Sequence, residues 1–230
     1  MMMMNHAIIL AGGVGRRLGA DIPKQYLPVK GVPLFIYSVR KFAADSRIST
    51  LVFVVSDEWR DFVSEALTAE GVRQEILFAP AGLSRQHSVW NGLSALRGRA
   101  GEEDLVFVHD AVRPLFPLSN ISDGLEACQA ADMALPVIAV KDATYRSADG
   151  ETLTAILPRA ELFSGQSPEC LRYGPFVRAH AKFSDEEIAQ IRGCSELAFR
   201  AGLKVKLIPG TEQNFKITTV EDLQALTLIV

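Results

Sequence analysis

Five consecutive residues, Leu51-Val52-Phe53-Val54-Val55, are apolar without interruption and rich in β-branched side chains. A strand with one wetted face alternates polar and apolar positions, so an unbroken run predicts burial on both faces, as in the centre of a parallel sheet. Leu105-Val106-Phe107-Val108 repeats the pattern; Ile8 to Leu10 and Ile76 to Phe78 give two shorter versions. Helical spacing fills the intervals. Leu34, Ile36, Tyr37 and Val39 to Phe42 follow Pro33, a residue suited to a first turn. Trp59, Phe62, Val63 and Leu67 form a second face, and Ser84 can cap a third helix carrying Val89, Leu93 and Leu96. The alternation predicts an α/β fold, a doubly wound and mostly parallel sheet. At 230 residues and 48% hydrophobic, the chain can bury one large core, so a single domain over 1–230 is expected.

In such sheets ligands sit beyond the carboxyl ends of the strands. After the first strand comes Ala11-Gly12-Gly13-Val14-Gly15-Arg16-Arg17-Leu18, and soon afterwards Pro23-Lys24-Gln25. Glycines let the backbone approach a polyphosphate and the cations neutralise it, which predicts a nucleoside triphosphate site. The dinucleotide fingerprint fails because Leu18 occupies the place of its third glycine, and the P-loop fails for want of a Gly-Lys at the required distance. A tight turn with solvated arginines is the plainer alternative. After the fourth strand comes His109-Asp110-Ala111-Val112-Arg113-Pro114. A carboxylate in that place can hold Mg²⁺, which needs few protein ligands when substrate phosphates supply the rest. Asp110 is therefore the candidate metal ligand, with capping of a turn or pairing to Arg113 as the other reading. His109 has no partner at ligand spacing and reads as a packing or hydrogen-bonding residue.

A net charge of -3 gives no basic surface for a nucleic-acid backbone, and no stretch reaches the apolar length of a membrane span. Met1 to Met4 lack the basic region of a signal peptide, which points to the cytoplasm. Cys128, Cys170 and Cys194 are odd in number and widely spaced, arguing against a disulfide framework or a zinc site.

Six segments occur in an order that resembles the 2-C-methyl-D-erythritol 4-phosphate cytidylyltransferases and the related ribitol-5-phosphate cytidylyltransferases. They are Leu10 to Arg17, Ile22 to Gln25, Ala81 to Val89, Val108 to Pro114, Gly165 to Pro168 and Asn214 to Lys216. The resemblance covers nearly the whole chain. It implies CMP transfer from CTP to a polyol phosphate with release of pyrophosphate. Arg17, Lys24 and Lys216 would be catalytic cations. Leu10, Ala11, Gly12, Gly13 and Gly15 would wrap the triphosphate, while Ala81, Gly82, Arg85 and Ser88 would hold cytosine and ribose. Asp110 falls on the acidic position beside Mg²⁺. Arg113, Arg159, Ser167 and Lys216 match positions facing the polyol phosphate. A protruding β-arm at about 141–163 would reach a second subunit, making a homodimer in which Arg159 serves the neighbour's site.

Two stretches depart from the family pattern, Asp142-Ala143-Thr144 and Arg192-Gly193-Cys194-Ser195. Both fall on the acceptor side. Arg192 could replace a hydroxyl contact to phosphate with a charged one, or be an ordinary solvated arginine. The acceptor stays open between the erythritol and ribitol phosphates. A nucleotidyltransferase for another sugar phosphate, and a nucleotide-binding regulator without turnover, are the remaining alternatives.

Overall fold

The computed structural model describes residues 4–13 and 22–230. Strand β1 (Asn5–Leu10) lies between β4 (Ile48–Val55) and β6 (Leu105–Asp110), parallel to both. Beyond β4 lies β5 (Glu75–Pro80), also parallel. On the other side β6 pairs with β11 (Glu169–Arg172), which runs antiparallel to it and to its further neighbour β7 (Met133–Ala139). β7 is completed by parallel β12 (Val205–Pro209) and antiparallel β10 (Phe163–Gly165).

Burial on both faces divides each central strand's side chains between two cores. Ala7, Ile9, Leu51, Phe53, Val55 and Phe107 face one core. It is closed by α1 (Leu34–Ala43), α2 (Asp57–Ala69) and α4 (Ser119–Ala127) through Phe42, Val63 and Ile121. Ile8, Val52, Val54, Val106 and Val108 face the other. There α3 (Arg85–Ala95), α5 (Tyr173–His180), α6 (Asp185–Gln190) and α7 (Cys194–Arg200) supply Val89, Phe176, Ile188 and Leu197. Each such fully buried aliphatic or aromatic side chain contributes about 1.5–3 kcal/mol. Helices on both faces confirm the doubly wound reading.

Two small hairpins stand outside this sheet. β2 (Pro28–Val29) turns into β3 (Val32–Pro33) through Lys30 and Gly31, at φ 47° and 79°. Two positive φ values in a two-residue loop match the twist of the flanking strands. Helix α8 (Val220–Ile229) packs on β2 and buries Leu226 with Val29, Leu34 and Ile217. β8 (Thr144–Arg146) pairs with β9 (Ala155–Leu157) in a sheet of its own, within the stretch expected to form the arm. Its turn is organised by Asp149, whose Oδ1 accepts from the Ser147 hydroxyl and the N–H groups of Glu151 and Thr152. No helix among the described residues is long and apolar enough to cross a membrane.

The connection from β10 to β11 positions the site. Gly165 faces Val137 and Cys170 faces Ala134, so Gln166 to Glu169 stand against only Leu135 and Pro136. The surplus chain buckles out of the ladder, as in a wide bulge. The buckle carries Ser167 to the carboxyl end of β6, where its Oγ accepts the Asp110 N–H at 3.1 Å.

Candidate active site

The carboxyl ends of β1, β4 and β6 are level, with Leu10 opposite both Val54 and Asp110. The segments leaving them, and β5, enclose a cleft of about 740 Å³. Leu10, Gly12, Gly13, Lys24, Gly82, Arg85, Ser88, Asp110 and Lys216 line it, together with Gln25, Leu83, Ser84, Val112 and Thr218.

Two of its walls fit only without side chains. A Cβ on Gly12 would stand 2.5 Å from the Ala81 Cβ, and one on Gly82 would stand 2.5 Å from the His87 Cβ and 2.6 Å from the Ser88 nitrogen. The Gly82 N–H donates to the Ser88 hydroxyl at 2.9 Å. Ser84 caps α3 by accepting the His87 N–H at 3.2 Å, as its type predicts. Ala11 and Ala81 lie just behind the lining, their N–H groups tied to the carbonyls of Val54 and Val55.

Asp110 is ringed by cations. Lys216 Nζ donates to its Oδ2 at 2.9 Å, Arg85 Nε donates to its Oδ1 at 3.2 Å, and Arg113 Nε lies 4.0 Å from Oδ2. Burial alone would raise the carboxyl's pKa, but Arg85, then Lys216 and Arg113, hold it well below the usual range. Arg85 is held on its far side by Glu169, whose Oε2 accepts from Nη2 at 2.9 Å. Glu169 is 4% exposed, and its other oxygen accepts the Ser195 N–H at 3.3 Å. Opposing carboxylates thus fix the guanidinium of the first residue of α3.

Behind Asp110 lies a buried hydroxyl–imidazole chain. His109 Nδ1 meets Ser167 Oγ at 3.1 Å, and its Nε2 meets Ser38 Oγ at 3.0 Å. Desolvation pushes the imidazole down to about 3, so it is neutral near pH 7. Ser167 can accept the Asp110 N–H and donate to Nδ1, leaving Nε2 as donor to Ser38. His109 is the hydrogen-bonding residue expected of it. Ser167, at 2% exposure, has its hydroxyl committed to this network.

The segment after β12 closes the cleft from its other end. Asn214 donates to the Ser167 carbonyl at 2.8 Å and accepts Arg113 Nη1 on its own carbonyl at 2.6 Å. The Ile217 N–H donates to Val112, and the Ile217 carbonyl accepts Lys24 Nζ at 2.7 Å. Lys24 and Lys216 are thereby brought together from opposite ends of the chain.

The remaining expected site residues lie elsewhere. Gly15 and Arg17 fall outside the described residues. Arg159 opens a 3₁₀ turn at Arg159–Glu161 and donates to the Lys141 carbonyl at 3.0 Å, away from the cleft lining. Arg192 is exposed between α6 and α7; its N–H donates to Glu196 at 2.9 Å. Glu169 had no expected role, although it directly follows the Gly165 to Pro168 motif. Gln25, whose only sequence signal is its place beside Lys24, also lines the cleft.

Comparison with known proteins matches residues 5–230 to the family model for 2-C-methyl-D-erythritol 4-phosphate cytidylyltransferase. The chain belongs to this family. The Geobacillus thermodenitrificans protein named for that activity is 34% identical over 221 residues, 96% of this chain and 94% of that one. The Streptococcus pneumoniae ribitol-5-phosphate cytidylyltransferase is 32% identical over 228 residues, 96% of each chain. A crystal structure of a 4-diphosphocytidyl-2C-methyl-D-erythritol synthase superposes with a TM-score of 0.81 at 26% identity, covering 100% of this chain and 99% of its own. The shared fold places the family's mixed sheet and flanking helices where they are described above.

Proposed function

We propose that this protein transfers CMP from CTP to a polyol phosphate, releasing pyrophosphate and forming a CDP-alditol. The observation that carries the reading is the convergence of Lys24 and Lys216 on one glycine-walled cleft, beside Asp110 at the end of β6. One acceptor phosphate oxygen forms a bond to the α-phosphorus as the bond to the bridging oxygen of the leaving pyrophosphate breaks. The acceptor phosphate has a second pKa of about 6 and is ionised near neutral pH, so the reaction needs no general base. The obstacle is the approach of two anions. Lys24, Lys216, Arg113 and, from its place in the sequence, Arg17 suit the work of holding them and stabilising charge on the transferring phosphate.

No group of three or more His, Cys, Asp or Glu among the described residues could hold a metal by itself. A single carboxylate at a strand end still suits Mg²⁺ arriving with a triphosphate, because phosphate oxygens and water complete its shell. Asp110 would hold that ion, which when bound would neutralise phosphate charge; Lys216, 41% exposed, is free to turn from Asp110 toward the phosphates. The β8–β9 hairpin exposes Tyr145 and Ile156, with Leu153 in its turn, an apolar surface that supports pairing with a second copy, where Arg159 would reach the neighbour's acceptor.

Pyrophosphate release, measured with CTP and a panel of polyol phosphates, tests the reading. Turnover is expected with 2-C-methyl-D-erythritol 4-phosphate or ribitol 5-phosphate. Turnover with ATP in place of CTP, or with hexose 1-phosphates alone, refutes it.

A further inference from the structure

The Ala11 and Gly13 carbonyls, at the start of the glycine loop after β1, pose an electrostatic problem. A peptide carbonyl carries partial negative charge, and outside a helix or strand it has no ladder partner to absorb it. Where such carbonyls border an anion site they repel the ligand that the neighbouring N–H groups attract.

Two carbonyls of this loop are taken up by adjacent side chains. Gln25 Nε2 donates to the Ala11 oxygen at 2.6 Å and to the Gly13 oxygen at 2.7 Å. Both partners are acceptors, so the amide's NH₂ end must face them, and its two hydrogens serve one carbonyl each. The Tyr26 hydroxyl donates to the same Ala11 oxygen at 2.8 Å. Gln25 is 3% exposed and Tyr26 2%, so neither donor has water as an easy substitute. The Tyr26 ring is itself immobilised, stacked on Trp59 at 4.5 Å and edge-on to Phe35 at 6.0 Å and Phe62 at 5.7 Å. Burial pushes its phenol up to about 12, so it remains a donor across the working pH range. Across a planar trans peptide the N–H of Gly12 points opposite to the Ala11 carbonyl. Fixing that carbonyl therefore also fixes the direction of the next donor.

We propose that Gln25 and Tyr26 are positioning residues for phosphate: they clamp the Ala11 and Gly13 carbonyls and so orient the Gly12 and Gly13 N–H groups between them for a polyphosphate. Neither touches the reacting atoms. The assignment rests on reading the cleft as a triphosphate site, and it gives the lysine's two neighbours in Lys24-Gln25-Tyr26 a part in the same task.

The test measures binding of three probes, CTP, inorganic tripolyphosphate and cytidine, to the full-length protein and to Gln25→Met and Tyr26→Phe. Methionine keeps length and neutrality while removing both donors; phenylalanine keeps the ring stack and removes one. Gln25→Met is expected to weaken CTP and tripolyphosphate at least tenfold and to leave cytidine within twofold. Tyr26→Phe is expected to weaken the same two about fivefold, and it carries the test if Gln25→Met fails to fold. Equal loss of cytidine, or unchanged tripolyphosphate binding by both folded variants, overturns the clamp. Should the wild type bind tripolyphosphate as tightly as CTP while the variants lose it, the clamp stands and the nucleotide reading falls. No binding of either by the wild type overturns both.

Discussion

Gly82→Ala puts the geometry of the nucleoside wall to a quantitative test. The added Cβ would lie 2.5 Å from the His87 Cβ, 2.6 Å from the His87 carbonyl carbon and 2.6 Å from the Ser88 nitrogen. Two of these atoms are backbone in the first turn of α3, a helix buried through Gln86, Val89 and Leu93, so no side-chain rotation relieves the contact. The loop must instead retreat by about 1 Å to reach ordinary van der Waals separation, near 3.5–4 Å. Overpacking of this kind costs about 1–3 kcal/mol, and losing the Gly82 to Ser88 hydrogen bond adds about 1 kcal/mol. For a chain of this length each kcal/mol lowers Tm by about 2–4 °C, so a fall of roughly 4–16 °C is expected by calorimetry. A 1 Å error in a binding wall can also cost up to about a hundredfold in kcat/KM, expected here as a raised KM for CTP with kcat largely kept. Gly165→Ala is the control: its Cβ meets only the Leu135 side chain, at 3.6 Å. If Gly82→Ala melts with the wild type and keeps its KM, the reasoning about this wall is refuted.

Lys24→Ala and Lys216→Ala should each lower kcat by about a hundredfold to a thousandfold, the usual effect of deleting one preorganised group facing developing charge, as steady-state pyrophosphate release would show. Glu169→Ala leaves the Arg85 guanidinium paired with Asp110 and partly solvated, and should cost about 1.5–3 kcal/mol in urea unfolding, whereas truncation of the solvated Arg192 should be silent there. His180, stacked on Trp90 at 4.2 Å, is pushed down to about 4 by burial and then by His87. The unfolded chain therefore binds more protons between pH 6.5 and 4, and stability falls on acidification through that window, by an amount on the order of 3 kcal/mol at its lower end. His180→Phe should flatten that part of the pH–stability curve, and an unchanged slope would assign the loss to other groups. Mixing inactive Arg159→Ala and Lys24→Ala subunits should restore pyrophosphate release if Arg159 acts across a dimer; a demonstrably mixed but inactive dimer contradicts that.

The central sheet was legible because its evidence is local: the runs at Leu51 to Val55 and Leu105 to Val108 state their own burial. The antiparallel β11 was not. Glu169-Cys170-Leu171-Arg172 is short, charged at both ends, and takes its direction from pairing with residues far away in the chain. The site divides the same way. Gly12 and Lys24 lie in motifs whose composition announces a phosphate loop, and Ser84 announces its cap, whereas Gly82 was reached only through the family resemblance. The partners of Asp110 could not be read locally. The near neighbour Arg113 stands at 4.0 Å, while the closer contacts come from Lys216 and Arg85, whose approach depends on the finished fold. Ser167 matched an acceptor position by resemblance, yet the β10–β11 buckle turns its hydroxyl inward to His109 and the Asp110 amide.

The segment after β12 that carries Lys216 and Ile217 has a consequence for the timing of biosynthesis. β1, β4 and β6 can pair, and both glycine walls can form, as soon as residue 110 is available, but the bond from Lys24 to Ile217 spans 193 positions. Contacts so distant in sequence form late, because chain entropy opposes them until intervening structure has condensed. A nascent chain would thus carry a recognisable α/β core, yet it could not hold its substrates until residue 217 had left the ribosome. Nucleotide protection against proteolysis should appear abruptly in a series of arrested chains, at the length that frees this segment.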